Sequence, residues 1–239
     1  MNTNLDKYGD AELHESLADV HLFLPMSDLF VDICYKLGIT PNVVTITSTI
    51  ATLASAYFYY KGKLCITFLL YFIGYLFDCL DGRLARKYNQ SSTFGMLLDS
   101  VSDMVTNIPF MIIFVIRTYQ EVSSGNNRCK LILLLMIFFV VYIFGMAYGL
   151  NEAITTFEEI GDDNFYLHKK KIINNRYGLL GKAFLIIYQN SYNAYRVAFP
   201  KPINKECLPE YKRKLLSLKE FGPGNISLFM MVCMYMYHK

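Results

Sequence analysis

The sequence predicts an all-α fold, a polytopic membrane helix bundle of about six transmembrane helices preceded by N-terminal amphipathic surface helices. Of the 239 residues, 54% are hydrophobic and only 18% are charged, and the mean hydropathy is +0.27. This composition is too apolar for the surface of an ordinary water-soluble domain. Several apolar runs approach or exceed the roughly 20 residues that a helix needs to cross the hydrocarbon layer. We therefore expect lipid to surround most of the chain.

Residues 1–38 are expected to form an N-terminal amphipathic, juxtamembrane segment, and residues 39–239 a single membrane domain. Between residues 11 and 24, leucine and valine recur at helical spacing opposite acidic side chains, which is typical of an amphipathic helix. A second short helix follows Pro25 and ends at Gly38. We expect both helices to lie along the membrane surface, and the alternative is packing against a partner helix.

The six predicted spans differ in how apolar they are. The first begins at Thr40-Pro41, because threonine caps a helix and proline fits its first turn, and it runs to about Tyr60. Polar side chains interrupt the fifth span, and the sixth is shorter than a full crossing. The five later spans are predicted at residues 64 to beyond 80, 93–117, 130–150, 179–199 and 226–237.

The charge pattern argues against several classes of protein. A net charge of +3 is small for a nucleic-acid-binding protein, and the basic residues lie between apolar runs rather than on one face. The six cysteines are scattered without zinc-site spacing. Residues 1–10 are polar and acidic and do not resemble a cleaved signal peptide, so insertion is expected to rely on the internal spans.

Four aspartates lie on two predicted helices that are joined by a short polar turn, the elbow at residues 88–92. Helical side chains three or four residues apart share one face. The end of the second span therefore presents one face, and the start of the third presents a matching one. The first face carries Asp78, Asp81, Gly82, Ala85 and Arg86, and the second carries Gly95, Asp99 and Asp103.

Four carboxylates converging at a membrane boundary repel one another unless cations lie between them. Ligation by oxygen alone, without histidine or cysteine, favours Mg²⁺ or Mn²⁺. A pair of such ions, about 3.5 to 4 Å apart, is the usual arrangement for in-line displacement at phosphorus. We therefore expect two divalent ions and chemistry on a pyrophosphate.

Small residues accompany the acids. Gly82, Ala85 and Gly95 remove bulk from the two faces, which lets a ligand or a neighbouring backbone approach closely. Arg86 is placed to meet phosphate oxygens or to hold an aspartate. The alternative is that the small residues only allow membrane helices to pack, which leaves the four acids unexplained.

The spacing D-x-x-D-G-x-x-A-R-x8-G-x3-D-x3-D resembles the signature of the CDP-alcohol phosphatidyltransferase family, and all eight positions are occupied without a gap. Residues 40–45 also resemble the segment that opens the first span of this family. The similarity covers roughly residues 39–107. It implies a six-helix membrane enzyme of phospholipid biosynthesis, usually a homodimer, with a polar cavity open to the cytosol.

The resemblance also implies a role for each matching residue. Asp78, Asp81 and Asp99 would ligate metal, and Asp103 would both ligate metal and act as general base on the acceptor hydroxyl. The acceptor would attack the phosphorus distal to cytidine, and CMP would leave. The CDP site would be lined by Asn42, Thr45, Gly82, Ala85, Arg86 and Gly95.

The sequence leaves the acceptor open among inositol, serine and glycerol phosphate. Residues 89–90 and 94–95 resemble phosphatidylinositol synthases, but Met104 stands where those enzymes tend to carry arginine. Residues 98–100 instead resemble phosphatidylserine synthases. Arg196, inside a predicted span, is the candidate for acceptor binding, whereas the basic residues between 169 and 182 are interpreted as a solvated surface that could also bind anionic headgroups.

Two rival functions are retained. Transfer of phosphocholine or phosphoethanolamine from its CDP ester to diacylglycerol uses the same motif, but those relatives are generally longer, which favours CDP-diacylglycerol as donor. A cation transporter would use intramembrane aspartates as an ion path, but it needs neither Gly82 nor the Ala85-Arg86 pair.

The expected location is a multi-pass membrane protein, in the endoplasmic reticulum if the cell is eukaryotic. Lysine and arginine fall on both sides of the predicted bundle, with the elbow and residues 169–182 on one side and the linker 201–219 on the other. We place the elbow in the cytosol because the implied donor is made there.

Overall fold

The architecture is entirely helical over the residues that the computed structural model describes, 11–123, 128–173 and 176–238. This confirms the all-α prediction. In chain order the helices are α1 Ala11–His14, α2 Leu24–Lys36, α3 Pro41–Tyr60, α4 Leu64–Lys87, α5 Thr93–Ser123, α6 Arg128–Ile160, α7 Phe165–Ile173, α8 Gly178–Ala198, α9 Leu208–Leu218 and α10 Pro223–His238.

Three stretches in the described part of the chain are long and apolar enough to cross a membrane, judged by length and composition. They are Leu64–Lys87, Thr93–Arg117 and Leu135–Ile160, within α4, α5 and α6. A polytopic helical membrane protein is therefore confirmed. Helices α3, α8 and α10 occupy the positions of the other predicted spans, and six complete crossings stay a prediction.

Helices α3 and α4 form a tightly packed hairpin. The Ser48 hydroxyl donates a hydrogen bond to the Gly74 carbonyl at 2.8 Å, and the Ser55 hydroxyl donates to the Thr67 carbonyl at 2.9 Å. A Cβ at Gly74 would overlap the Thr52 hydroxyl. The two backbones approach because small residues face each other, and the hydroxyls satisfy their own donors across the interface.

Two apolar clusters lie at opposite ends of the antiparallel pair α5 and α6. One cluster joins Leu97, early in α5, to Leu150, late in α6. The other joins Phe114 of α5 to Ile137 of α6 and to Met234 of α10. The first cluster marks the end of the bundle that carries the elbow, which we call the elbow end.

The linker between α8 and α10 also lies at the elbow end. The Asp163 carboxylate, just after α6, accepts hydrogen bonds from the Tyr195 hydroxyl near the end of α8 and from the Ile203 amide, both at 2.9 Å. Lys212 of α9 forms an ion pair with Glu158 of α6 at 2.6 Å. The prediction that residues 201–219 lie opposite the elbow is therefore wrong, because α8 returns the chain to the end of α6.

The N-terminal segment runs beside the last turns of α4. The Arg83 guanidinium donates two hydrogen bonds to the Asp28 carboxylate, and the bond from Nη2 measures 2.6 Å. One turn further on, Lys87 forms an ion pair with Asp32 at 2.6 Å. The ammonium of Lys87 holds the pKa of Asp32 below its usual range. In turn, the hydrogen bond to Asp32 raises the pKa of Tyr88 to about 12.

Helix α2 is amphipathic, as predicted, but its acids face protein. Asp28 and the buried Val31 turn toward α4, whereas Leu29 and Leu37 are each 70% exposed on the other side. Of the two arrangements considered from the sequence, packing against a partner helix is therefore present. The exposed apolar face also leaves α2 suited to a membrane surface.

Asp19 connects the N-terminal segment to two helices. Its buried carboxylate accepts a hydrogen bond from the Tyr75 hydroxyl of α4 at 2.6 Å and from the Gly224 amide at 3.1 Å. Gly224 lies in the first turn of α10, where backbone amides have no partner within the helix. Asp19 therefore caps α10 from more than 200 residues away.

We expect Asp28→Asn to destabilise the fold by about 2 kcal/mol, because the Arg83 side chain is 7% exposed and would lose its counter-charge. The change is measured as the unfolding midpoint in detergent, and proteolysis of α2 should accelerate in parallel.

The matched control is Asp32→Asn, whose side chain is 52% exposed. The Asp32 variant should shift the midpoint less, because solvent screens an exposed ion pair. Equal shifts for the two variants would show that the Asp28–Arg83 pair has no special role.

Candidate active site

The end of α4 and the start of α5 are held together by the elbow. The Gln90 amide donates to the Ala85 carbonyl at 2.8 Å, and Asn89 adopts a positive φ of 54°, which asparagine tolerates better than most residues. The Ser92 hydroxyl accepts the Gly95 amide at 3.0 Å and so caps the first turn of α5. This short connection places the two aspartate-bearing faces beside each other.

Three of the four predicted aspartates converge. Carboxylate oxygens of Asp78, Asp81 and Asp99 all lie within 4.8 Å of one another. Asp81 is 6% exposed, and the other two are half-buried. Carboxylate oxygens at this separation are the ligands that hard divalent cations prefer. The sequence-based expectation that α4 and α5 bring their acids together is met for these three.

Thr45 of α3 fixes the most buried of these acids. Its hydroxyl donates a hydrogen bond to Asp81 and also lies 3.1 Å from the Pro41 carbonyl of the preceding turn. Thr45 is itself 3% exposed. The bond from the Thr45 hydroxyl therefore restricts the orientation of the Asp81 carboxylate.

Asp103 lies one turn beyond Asp99 on α5 and is exposed. Four residues of helix correspond to a rise of about 6 Å. Within the described chain Asp103 is not one of the residues that share the 4.8 Å cluster. Asp103 is thus outside this group of three, and its predicted roles as ligand and base stay predictions.

The small residues of the motif have close neighbours. A Cβ at Gly82 would lie 3.0 Å from Nη1 of Arg86, so this guanidinium folds back over the glycine. A Cβ at Gly95 would lie 3.3 Å from Oδ1 of Asn42. Asn42 and Thr45 therefore border the motif from α3. Ala85, which precedes Arg86 directly, is half-buried.

Residues 38–161, more than half of the chain, match the family model of the CDP-alcohol phosphatidyltransferases. The chain belongs to this family. The match includes the three clustered aspartates, Asp103, Thr45 and the elbow. The resemblance that the motif spacing indicated is confirmed.

Curated relatives match over parts of their length. An uncharacterized protein of Aquifex aeolicus is 30% identical over 119 residues, covering 49% of this chain and 57% of that protein. An archaetidylinositol phosphate synthase of Pyrococcus horikoshii is 38% identical over 72 residues, covering 30% and 38%. A phosphatidylinositol phosphate synthase of Mycobacterium tuberculosis is 37% identical over 73 residues, covering 30% and 34%. The chain thus spans between about a third and just over half of these relatives. No solved structure matches it.

In the half of the chain beyond α5, Arg196 contacts the acid that follows α6. Its guanidinium forms an ion pair with Asp163 at 3.4 Å, and Asp163 also accepts the Tyr195 hydroxyl and the Ile203 amide. Asp163 anchors the connection between α6 and the linker. Acceptor binding by Arg196 stays a prediction, and it would have to compete with this anchoring carboxylate.

Sequence reasoning missed Arg83, which lies inside the motif and is 5% exposed. The signal was the matched four-residue spacing of Asp28 and Asp32 with Arg83 and Lys87. That spacing is common on helix surfaces, so it indicates a pairing only after α2 is known to lie beside α4.

We expect Asp99→Asn to stabilise the protein in metal-free buffer, because it removes one of three like charges held within 4.8 Å. The gain should be of order 1 kcal/mol and raise the unfolding midpoint by a few degrees. Chelator-treated protein in detergent is suitable for this measurement.

Asp103→Asn is the matched control for this variant, since it removes the same charge from the same helix outside the cluster. It should leave the metal-free midpoint nearly unchanged. A lower midpoint for Asp99→Asn would mean that the carboxylates are not in mutual repulsion.

Proposed function

We propose that this protein transfers a phosphatidyl group from CDP-diacylglycerol to a hydroxyl acceptor and releases CMP. The observation that carries the proposal is the convergence of Asp78, Asp81 and Asp99 beside Gly82 and Arg86. Membership of the CDP-alcohol phosphatidyltransferase family supports the same reaction class. The function belongs to phospholipid biosynthesis.

The clustered acids fit a divalent metal centre, for which we propose two Mg²⁺ or Mn²⁺ ions. Asp78, Asp81 and Asp99 supply an all-oxygen donor set, and the Thr45 hydroxyl keeps Asp81 in the ligating orientation. When bound, such ions neutralise charge on a pyrophosphate and hold the attacking and leaving oxygens in line. The two ions are proposed from the reaction class.

The CDP moiety is proposed to lie against the small residues of the motif. Gly82, Ala85 and Gly95 leave space on the helix faces, and Asn42 borders Gly95 from α3. The Arg86 guanidinium, which lies over Gly82, provides donors for phosphate oxygens. Binding through several fixed groups orients the reacting phosphorus toward the acceptor.

Asp103 is proposed as the general base. It is exposed one turn along α5 from Asp99, so an acceptor hydroxyl can approach it without displacing the clustered acids. The Asp103 carboxylate takes the proton of the acceptor hydroxyl as the acceptor oxygen forms a bond to the phosphorus distal to cytidine. The bond from that phosphorus to the oxygen that bridges the two phosphates breaks, and its electron pair leaves on the oxygen of CMP.

The names of two relatives, archaetidylinositol phosphate synthase and phosphatidylinositol phosphate synthase, favour an inositol or inositol phosphate acceptor. We propose this acceptor class ahead of serine and glycerol phosphate. Arg196 is kept as a candidate for acceptor binding. The proposed assembly is a homodimer in the membrane, which mass measurement of the protein with its bound detergent tests directly.

The site is proposed to face the cytosol. Basic residues concentrate at the elbow end, where they include Arg83, Lys87 and the segments 169–171 and 212–214. The other end carries fewer: Lys61 and Lys63 in the α3–α4 turn, Arg117 in α5, and Arg128 and Lys130 at the start of α6. Lysine and arginine near membrane spans favour the cytoplasmic side.

We expect Asp103→Asn to reduce turnover by at least about 100-fold while CDP still binds, because the variant lacks the base but keeps the clustered acids. CMP release and retention of radiolabelled CDP on the purified protein measure the two effects separately. Wild-type turnover in this variant would refute the assignment of the base.

We expect purified protein with Mg²⁺ to release CMP from CDP-diacylglycerol when inositol or inositol phosphate is supplied, and less with serine or glycerol phosphate. Mass spectrometry of the extracted lipid identifies the product. Incubation with CDP-choline and diacylglycerol is the parallel arm for the rival reaction. Release of CMP in that arm alone would show that CDP-choline, and not CDP-diacylglycerol, is the donor. Ion flux in vesicles without CMP release from any donor would support a transporter instead.

A further inference from the structure

The basic side chains at the elbow end fall into an inward and an outward set. Three of them pair with acids near the end of α6: Lys169 with Glu152 at 3.5 Å, Arg196 with Asp163 at 3.4 Å, and Lys212 with Glu158 at 2.6 Å. These pairs hold α7, α8 and α9 against α6. They contribute to the fold and leave little charge for a ligand.

The outward set lies on α7, the start of α8 and the turn between them. Lys170, Lys171, Arg176 and Lys182 are exposed, and none of them forms an ion pair with an acid within the described ranges. Leu179 and Ile186 lie beside them in sequence and are 84% and 54% exposed. We call these six residues the outer face. It combines unpaired positive charge with exposed apolar side chains.

The register of α8 explains why the outer face points away from the bundle. Leu179, Lys182 and Ile186 are spaced at three and four residues, so they share one side of the helix. Phe184 and Tyr188 lie on another side and are buried in the elbow-end cluster. The apolar residues of the outer face are therefore not satisfied by packing within the described chain.

The outer face lies at the level where α6 reaches the end of its apolar stretch. His168 and Lys169 of α7 pair with Glu159 and Glu152 of α6, each at 3.5 Å, so α7 lies beside the last turns of α6. The candidate span in α6 ends at Ile160. Tyrosine side chains, which favour the membrane–water boundary, accompany the basic residues, with Lys170 at 6.0 Å from the Tyr166 ring and Arg176 at 5.9 Å from the Tyr177 ring.

We propose that the outer face binds anionic phospholipid headgroups at the boundary of the membrane that the protein spans. Four positive side chains attract lipid phosphates, and Leu179 and Ile186 enter the adjoining acyl region. A soluble acidic partner would account for the charge but would leave Leu179 in water. The consequence is a shell of anionic lipid beside the candidate active site, on the side of α7 and α8.

The chain contains no tryptophan, so one introduced tryptophan is a unique fluorescent reporter. We place it on the outer face as Leu179→Trp in the full-length protein, reconstituted in phosphatidylcholine vesicles. The quenchers are brominated phosphatidylglycerol and brominated phosphatidylcholine at the same mole fraction. The anionic quencher should reduce the fluorescence about twofold more than the zwitterionic one, because the basic side chains concentrate it.

The charge-removed form carries Leu179→Trp with Lys170→Gln, Lys171→Gln, Arg176→Gln and Lys182→Gln. Since all four side chains are exposed, the fold should persist, and the preference for the anionic quencher should disappear. Replacing Lys61 and Lys63 at the opposite end by glutamine should leave the preference intact. A tryptophan at Ile112, 53% exposed on α5, should be quenched equally by both lipids.

Three results would overturn the proposal. Absence of quenching at position 179 by either lipid would place the outer face in water. Equal quenching by both lipids would mean that the basic residues do not select anionic headgroups. Loss of the preference on adding inorganic phosphate at constant ionic strength would assign the basic residues to a soluble phosphate ligand. None of these measurements requires turnover, so the proposal is independent of the proposed transferase activity.

Discussion

The mutual repulsion of three carboxylates held within 4.8 Å of one another is the constraint on which the rest of the structure depends. Asp78 and Asp81 come from α4, and Asp99 comes from α5. Without opposing contacts, the two helices would separate or the acids would turn away from each other. The short elbow prevents the first outcome, and the Thr45 hydroxyl opposes the second for Asp81.

The charged end of α4 is also supported from outside the motif. The Asp28–Arg83 pair attaches α2 to the turn that contains Gly82, and Asp19 links Tyr75 of α4 to the start of α10. A buried arginine is tolerated only with a hydrogen-bonded counter-charge. The N-terminal segment therefore serves as a structural support for the candidate active site, in addition to presenting an apolar face outward.

The charged residues at the elbow end form three groups that differ in how deeply they are buried. Acids of α4 and α5 form the clustered site, acids near the end of α6 pair with basic residues of α7, α8 and α9, and the outer face keeps its positive charge exposed. Burial explains this arrangement, because a charged side chain that faces the protein interior needs a partner, whereas one that faces outward is solvated or can contact a headgroup. The same end of the molecule thus combines the proposed site for a negatively charged donor with the proposed lipid-binding surface.

The sequence by itself determined the family, the helical class and which residues form the motif, since helical spacing fixes that Asp78 and Asp81 share a face. Long apolar runs located most of the helices, as for the first span ending at Tyr60, but α6 continues to Ile160, ten residues beyond the predicted end at residue 150. Only the tertiary structure decided that Asp28 meets Arg83, that Asp163 holds the linker at the elbow end, and which three of the four aspartates lie within 4.8 Å of one another. Local periodicity fixes where a side chain points on its own helix, but partners far apart in the chain depend on how whole helices pack.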